Sequence, residues 1–186
     1  MNKFKAIFVS ALVLISMSAI SAPKVYGKLN IAVNNDGSDG VNEKEIDLVS
    51  NASRIGFKGK VDMKNGLTGI YKIEYEVDIT NDNTKSKAFN QRNSFVGLKG
   101  NFGTLKLGTH DTPLKLAQLK ADLFNDLKGD IKNITDGENR IGSFFGYDSP
   151  VFGGGVSISL GVGKGKDDGV DGTDLDGEFG SNLSVS

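Results

Sequence analysis

Leu67-Thr68-Gly69-Ile70-Tyr71-Lys72-Ile73-Glu74-Tyr75-Glu76-Val77-Asp78 is the stretch whose reading decides the fold. Leu67, Gly69, Tyr71, Ile73, Tyr75 and Val77 fall on one side of an extended chain, and Thr68, Lys72, Glu74, Glu76 and Asp78 on the other, with only Ile70 out of character. A period of two sustained this long describes a strand with one apolar and one charged face. The same alternation runs from Val25 to Asn34, where Val25, Gly27, Leu29, Ile31 and Val33 oppose Tyr26, Lys28, Asn30, Ala32 and Asn34. It recurs from Ser53 to Val61, with Ile55, Phe57, Gly59 and Val61 opposite Arg54, Gly56, Lys58 and Lys60. Further strands are expected at Arg92 to Gly100, Thr104 to Gly108, Arg140 to Tyr147 and Gly155 to Gly163, and an eighth begins near Ser181.

The connections alternate too. Long ones at Asn35–Ala52, Ile79–Gln91, Thr109–Asn139 and Lys164–Gly180 interleave with short ones at Asp62–Gly66, Asn101–Gly103 and Asp148–Gly154. Short turns on one rim and long loops on the other are what a transmembrane antiparallel β-barrel requires, its strands needing ~9 to 11 residues to cross the lipid. A soluble β-sandwich or lipocalin-like barrel shares the alternation. The polar faces favour the membrane barrel, because they carry Lys and Arg in mid-strand and aromatic residues such as Tyr26, Phe102 and Tyr147 sit near strand ends.

Lys3 and Lys5 precede an apolar run from Ala6 to Ile20 that meets small residues at Ser21 and Ala22, the pattern of a secretory signal peptide over residues 1–22. Cleavage after Ser21 or after Ala22 are both open, since Pro23 follows Ala22. The run is shorter than the ~20 apolar residues of a membrane helix. Without it the chain keeps 20 of its 22 basic residues against 23 acidic ones, a net charge of −3 that argues against nucleic acid as a partner. The absence of cysteine removes thiolate catalysis and Cys-based metal sites, and 25 Gly against 3 Pro fit many short strands with tight connections. The expected fold class is all-β.

Val25-Tyr26-Gly27-Lys28, Ser53-Arg54-Ile55-Gly56-Phe57-Lys58-Gly59, Asn65-Gly66-Leu67-Thr68-Gly69 and Ile73-Glu74-Tyr75 together resemble, in order and spacing, the opening of the Gram-negative general porins. So do Arg92-Asn93-Ser94-Phe95-Val96-Gly97-Leu98-Lys99-Gly100, Gly103-Thr104-Leu105-Lys106-Leu107-Gly108 and His110-Asp111-Thr112-Pro113-Leu114-Lys115, so the resemblance covers essentially all of the chain after the signal. It implies that residues 23–186 are the first half of a sixteen-stranded barrel of the bacterial outer membrane, a homotrimer among lipid and lipopolysaccharide. Ions and small polar solutes would diffuse through it passively, with no enzymatic activity and no cofactor. It implies also that residues 109–139 fold into the lumen as a constriction loop, pinned to the wall by Leu116, Leu119, Leu123, Phe124 and Leu127. The family's basic wall cluster maps onto Lys28, Arg54, Arg92 and Arg140, its facing loop acids onto Asp122 and Asp126, and a further acidic wall position onto Glu74. The strand registers independently put Lys28, Arg54 and Glu74 on the polar face; for Arg92 and Arg140 that face is inferred from Phe95 and Phe145 pointing the other way. The chain departs from the family pattern at Thr109, where a basic residue often follows the glycine, and it stops inside its eighth strand, which reads as a partial sequence.

Other motifs have bland readings. His110, the single histidine, lies near no Gly-x-Ser-x-Gly elbow, so a hydrolase is disfavoured. Asp167-Asp168-Gly169-Val170-Asp171-Gly172 with Glu178 approaches a Ca²⁺-loop spacing, but Gly169 stands where Asp or Asn is required, and a solvated loop without a metal is expected. Gly161 to Lys166 lacks the spacing of a phosphate loop. The alternative function is a small eight-stranded structural or adhesive barrel, whose interior would be filled with side chains and would leave no lumen for the 109–139 loop.

Overall fold

The computed structural model describes residues 22–36, 45–80, 88–118, 121–127, 129–134, 139–164 and 179–185. Residues 1–21 of the signal peptide expected over 1–22, Leu119 and the Asp167–Glu178 stretch lie outside them. The elements are β1 (Lys24–Lys28), β2 (Ile31–Asp36), β3 (Glu45–Ser50), β4 (Arg54–Met63), β5 (Leu67–Val77), β6 (Phe89–Gln91), β7 (Ser94–Gly100) and β8 (Gly103–Asp111). Helix α1 (Pro113–Gln118) follows, then a 3₁₀ turn at Ile131–Asn133, and then β9 (Arg140–Asp148), β10 (Ile158–Lys164) and β11 (Phe179–Val185).

Eight strands form one sheet in the order β1-β4-β5-β7-β8-β9-β10-β11, each antiparallel to its neighbours. They answer to the eight strands expected from the alternation. Strand β6 extends the pairing along β5, and β2 with β3 makes a separate two-stranded ribbon. Two expectations change here. The strand expected at Val25–Asn34 breaks at Leu29 and Asn30, because the fully buried Ser53 hydroxyl accepts from the Asn30 N–H (3.0 Å) and donates to its carbonyl (3.2 Å). The long connection at Asn35–Ala52 contains β3, which doubles back on β2 with Val33 opposite Leu48. The β4–β5 turn is set by Asn65 (φ 68°) and Gly66 (φ 75°), two consecutive left-handed residues that an Asn-Gly pair adopts at little steric cost.

Burial is inverted relative to a water-soluble domain. Val25, Phe57 and Ile73 lie side by side on β1, β4 and β5, and Val96, Leu107, Phe145 and Val162 do so on β7 to β10. All seven are 41–59% exposed. The polar side of the sheet holds most of the buried residues, and among the described residues the buried apolar side chains are Phe144 and Pro113. A continuous apolar face left open on one side of a sheet is a large liability in water and the normal state of a strand against hydrocarbon. Among the described residues no helix is long and apolar enough to cross a membrane.

One register inference fails. Phe95 pairs with Lys72 and Gly108, and its ring lies 5.9 Å from Lys106 Nζ, so it sits on the charged face rather than opposite it. The cause is an irregularity between β6 and β7. Tyr75 pairs with Gln91, whereas Lys72 pairs with Phe95, which leaves one more residue on the Gln91–Phe95 side than on the β5 side. Such a bulge reverses the parity of everything beyond it. Phe145, by contrast, faces outward as expected, 48% exposed.

Candidate functional site

The charged face of β1, β4 and β5 builds the first part of the site. Lys28, Arg54 and Glu76 are paired across the three strands, and Tyr26, Gly56 and Glu74 form the adjacent row. Tyr26 was expected as a strand-end aromatic, but its ring lies on the inner face over Gly56, where an added Cβ would stand 2.5 Å from the ring. From there its hydroxyl donates to Glu74 Oε2 at 2.7 Å. Arg92 lies in the bulge, held by its N–H to the Glu74 carbonyl at 2.9 Å. Its Nε then donates to Glu74 Oε1 (3.0 Å) and its Nη1 to Glu76 Oε2 (3.1 Å), while Lys72 Nζ stands 3.2 Å from Glu74 Oε2. Glu74 is therefore a buried carboxylate with a hydroxyl, an ammonium and a guanidinium around it, and burial is tolerable because each oxygen has a partner.

Arg140 sits on a second cluster, at the far end of β8 and β9. The Asn93 amide donates to Asp111 Oδ2 (2.6 Å) and accepts from the Asp111 N–H (2.9 Å), a reciprocal pair between the bulge and β8. Arg140 Nε reaches Asn93 Oδ1 at 3.4 Å, and its Nη2 lies 2.9 Å from Asp111 Oδ1 as a charge contact that misses hydrogen-bond alignment. His110 is buried beside this cluster between the rings of Phe95 (centroids 4.9 Å apart) and Phe144 (5.6 Å), its Nδ1 2.7 Å from the Asp111 carbonyl, a packing position without access to solute. Thr109, the departure from the expected pattern, pairs with Ser94, and its hydroxyl accepts from Gln91 Nε2 at 3.4 Å.

The described part of the segment between β8 and β9 reaches this charged face through Asp126. The buried Thr112 closes its base by donating its N–H to the Asn139 carbonyl (2.9 Å), and α1 packs on β10 and β11. Farther along, Asp126 Oδ2 reaches Arg54 Nη2 at 3.2 Å and Lys28 Nζ at 3.5 Å. Asp126 stands in the left-handed region (φ 67°), and its N–H donates to Asp130 Oδ2 at 2.9 Å. Asp130, 2% exposed, also accepts from the Lys132 N–H (3.0 Å) and has the Lys132 ammonium at 3.3 Å. Burial alone would raise its pKa, but the two N–H donors and the ammonium outweigh burial and hold the carboxyl below its usual range.

The structure thus brings six of the seven expected site residues, Lys28, Arg54, Arg92, Arg140, Glu74 and Asp126, into or beside one cleft of about 590 Å³. Asp122 does not line it. Its Oδ1 accepts from the Phe124 N–H at 3.0 Å in a local turn, and its Oδ2 is buried without a hydrogen-bond partner. The expected apolar pinning fails at Leu123, which is 85% exposed, and at Phe124 and Leu127, which are exposed as well, while Leu116 is half-buried on α1 and Leu119 lies outside the described residues; the Leu123–Ile134 part is held by polar contacts. Sequence reasoning also missed Asp111, Asn93 and Asp130. Six basic side chains and five acidic ones line the cleft, interleaved as pairs rather than parted onto opposite walls. Charges so arranged set up a local field that can orient charged and dipolar groups.

A family model described as "Gram-negative porin" matches residues 9–186. The chain is 29% identical over 161 residues to the major outer membrane protein P.IB of Neisseria gonorrhoeae and 31% identical over 159 residues to that of Neisseria meningitidis serogroup B. Each match covers 81% of this chain but 45% and 46% of the relative, so the chain spans about half the length of these relatives. Among solved structures it is similar to an anion-selective porin from Comamonas acidovorans (TM-score 0.60, 24% identity, 78% of this chain and 47% of that one). It is similar also to OmpT of Vibrio cholerae in a trimer form (TM-score 0.54, 19% identity, 82% and 43%), and both likenesses concern the fold. An apolar outer face, a charged inner face with a loop laid against it, and a family match over nearly the whole length converge: this chain belongs to the Gram-negative porin family.

Proposed function

We propose that the chain forms the first part of the wall, and the constriction, of a water-filled channel in the Gram-negative outer membrane, through which ions and small hydrophilic solutes diffuse passively. Residues 23–186 follow a removed signal peptide, the connection expected at residues 109–139, of which 109–111 complete β8, is the inward constriction loop, and the complete porin assembles as a homotrimer surrounded by lipid and lipopolysaccharide. The observation that carries this reading is Asp126, a loop carboxylate lying 3.2 Å from Arg54 and 3.5 Å from Lys28 on the sheet wall. A loop leaning on the charged face narrows whatever space that face encloses. The small eight-stranded barrel is disfavoured because β1 and β11, the two ends of the sheet, do not pair with each other among the described residues.

Selectivity follows from the pairing. Charges exposed to bulk salt are screened over a Debye length of ~8 Å at physiological ionic strength, but low-dielectric walls focus the field within a narrow passage. Removing Arg54 leaves Asp126 with a weaker partner and a more negative passage; removing Asp126 does the reverse. In planar bilayers holding the full-length porin at low salt, Arg54→Ala should move the reversal potential toward cations. Asp126→Asn should move it toward anions, and Asp122→Asn should add less because Asp122 stands off the cleft. If neither Arg54→Ala nor Asp126→Asn moved it, these residues would be structural ion pairs and the assigned constriction would be wrong.

A further inference from the structure

Two apolar side chains stand where a charged wall has no evident use for them. Ile70 is the exception in the β5 alternation, and Phe95 is turned inward by the bulge before β7. They are near neighbours: Phe95 pairs with Lys72, and Ile70 pairs with Gly97, two residues further along each strand. Gly97 makes room for Ile70, since a Cβ there would meet the Ile70 side chain at 2.9 Å. Both side chains are partly open to solvent.

Lysines ring this apolar floor. Lys24, Lys58 and Lys72 lie in one row across β1, β4 and β5 that continues into Phe95, and Lys60 and Lys106 flank Ile70 and Gly97 in the next row. Neighbours within a row are about 4.8 Å apart and successive same-face positions about 7 Å apart. Lys58 and Lys72 lie over the Tyr26 ring at 5.2 and 5.7 Å, and Lys106 over the Phe95 ring at 5.9 Å, so aromatic faces help to fix three of the five ammonium groups. Lys72 also meets Glu74, and Lys106 meets Asp148. Among the described residues no carboxylate stands within ion-pair distance of Lys24 or Lys58. The recess lined by Lys24, Lys58, Lys60, Lys72, Ile70 and Phe95, with Lys106 beyond Phe95, lies on the same face of the sheet as the Arg54–Asp126 cleft, some four residues along β4 from Arg54.

We propose that this recess is a binding subsite for amphiphilic organic monoanions, carboxylates with an apolar body, lying past the constriction on the same wall. The proposal rests on the channel reading and adds the solute class to it. A cationic rim alone would hold any anion. An apolar floor alone would be wetted poorly and hold neutral solutes. Their combination favours a ligand whose charge meets Lys58 or Lys24 while its body covers Ile70 and the Phe95 ring.

The test uses the full-length porin in planar bilayers in KCl, with sodium benzoate as the probe and sodium acetate as the anion of equal charge and smaller body. Benzoate should reduce the chloride current at a concentration roughly tenfold below that needed for acetate, the gain expected from covering about 55 Å² of ring surface. Ile70→Ser should shrink that difference and leave the KCl reversal potential unchanged, whereas Lys58→Gln should weaken both anions together. Equal action of benzoate and acetate on a conducting channel would overturn the subsite and leave the channel reading standing. A full benzoate preference surviving in Ile70→Ser would also overturn it. A full-length protein that inserts but passes no current would overturn the channel reading, and the subsite with it.

Discussion

Strands β4 and β5 are joined at ten paired positions, from Arg54 opposite Glu76 to Met63 opposite Leu67, whereas the loop segment from Leu123 to Ile134 reaches the same wall through Asp126. The strand pair is over-determined. Shifting it by one residue would turn every charged side chain toward the apolar side, so the alternation itself fixes the register. The loop has no such periodicity. Its exposed Leu123, Phe124 and Leu127 contribute little anchoring among the described residues, and its conformation depends on the carboxylate of Asp130 and the left-handed backbone of Asp126. Wall and loop should therefore fail differently when perturbed.

The largest effect is expected from breaking the wall's outer face. Ile73 is 45% exposed on that face, and Lys72, next to it, points inward to Glu74. A lysine at the bilayer midplane costs ~2 to 4 kcal/mol, so Ile73→Lys should impair assembly of the full-length barrel, read as loss of heat-modifiable mobility on gels, while Lys72→Ile should assemble. Equal tolerance of the two changes would mean that the faces are reversed.

A smaller loss, confined to the loop, should follow from Asp130→Ala. Two backbone N–H groups, of Asp126 and Lys132, then lose their acceptor, at about 1 to 3 kcal/mol if they stay buried. The barrel should assemble normally, but the Asp126 contact to Arg54 should loosen, so the selectivity shift should resemble that of Asp126→Asn. Normal selectivity in Asp130→Ala would show that Asp126 holds its place without it.

The same carboxylate gives the pair a pH dependence on the loop side. The folded-state pKa of Asp130 is depressed, so its contribution is fully present above the unfolded value of about 3.9 and is lost as pH falls through the lower folded value. Loop anchoring should thus weaken below about pH 4, seen as rising current noise in acid, and Asp130→Ala should be noisy already at neutral pH. Acid noise that is unchanged in Asp130→Ala would assign it to another group.

Smallest of all should be the response of the wall charges to salt. The Arg54→Ala shift in reversal potential should shrink as salt rises, because screening weakens the field without altering the passage. A shift independent of salt would point to a change of width instead.

How much of this was legible in the sequence follows the same division. The alternation from Leu67 to Val77 named the faces of Glu74 and Ile73, and the eight strands of the sheet were countable from it. Phe95 was misread because one extra residue near Arg92 reverses parity, and nothing in Gln91-Arg92-Asn93-Ser94 announces a bulge. Arg92 still reached the cleft, since the bulge that turned Phe95 inward also left Arg92 free to bend back onto Glu74. Tyr26 read as a rim aromatic because its partner Gly56, which makes space for the ring, becomes its neighbour only through strand pairing. Asp130 carried no signal: one acid among several in a loop becomes a hub only once the chain bends it toward the Asp126 and Lys132 N–H groups. Apolar loop residues were the misleading cue, because hydrophobicity marks a wish for burial without naming the surface that provides it.

If the loop narrows a water-filled passage, removing the loop widens it. The measurement is the single-channel conductance of the full-length porin lacking Lys115 to Asp130, compared with the intact porin in the same KCl solution. A clearly larger conductance together with entry of larger sugars is the predicted result, and a conductance equal to that of the intact channel would contradict it.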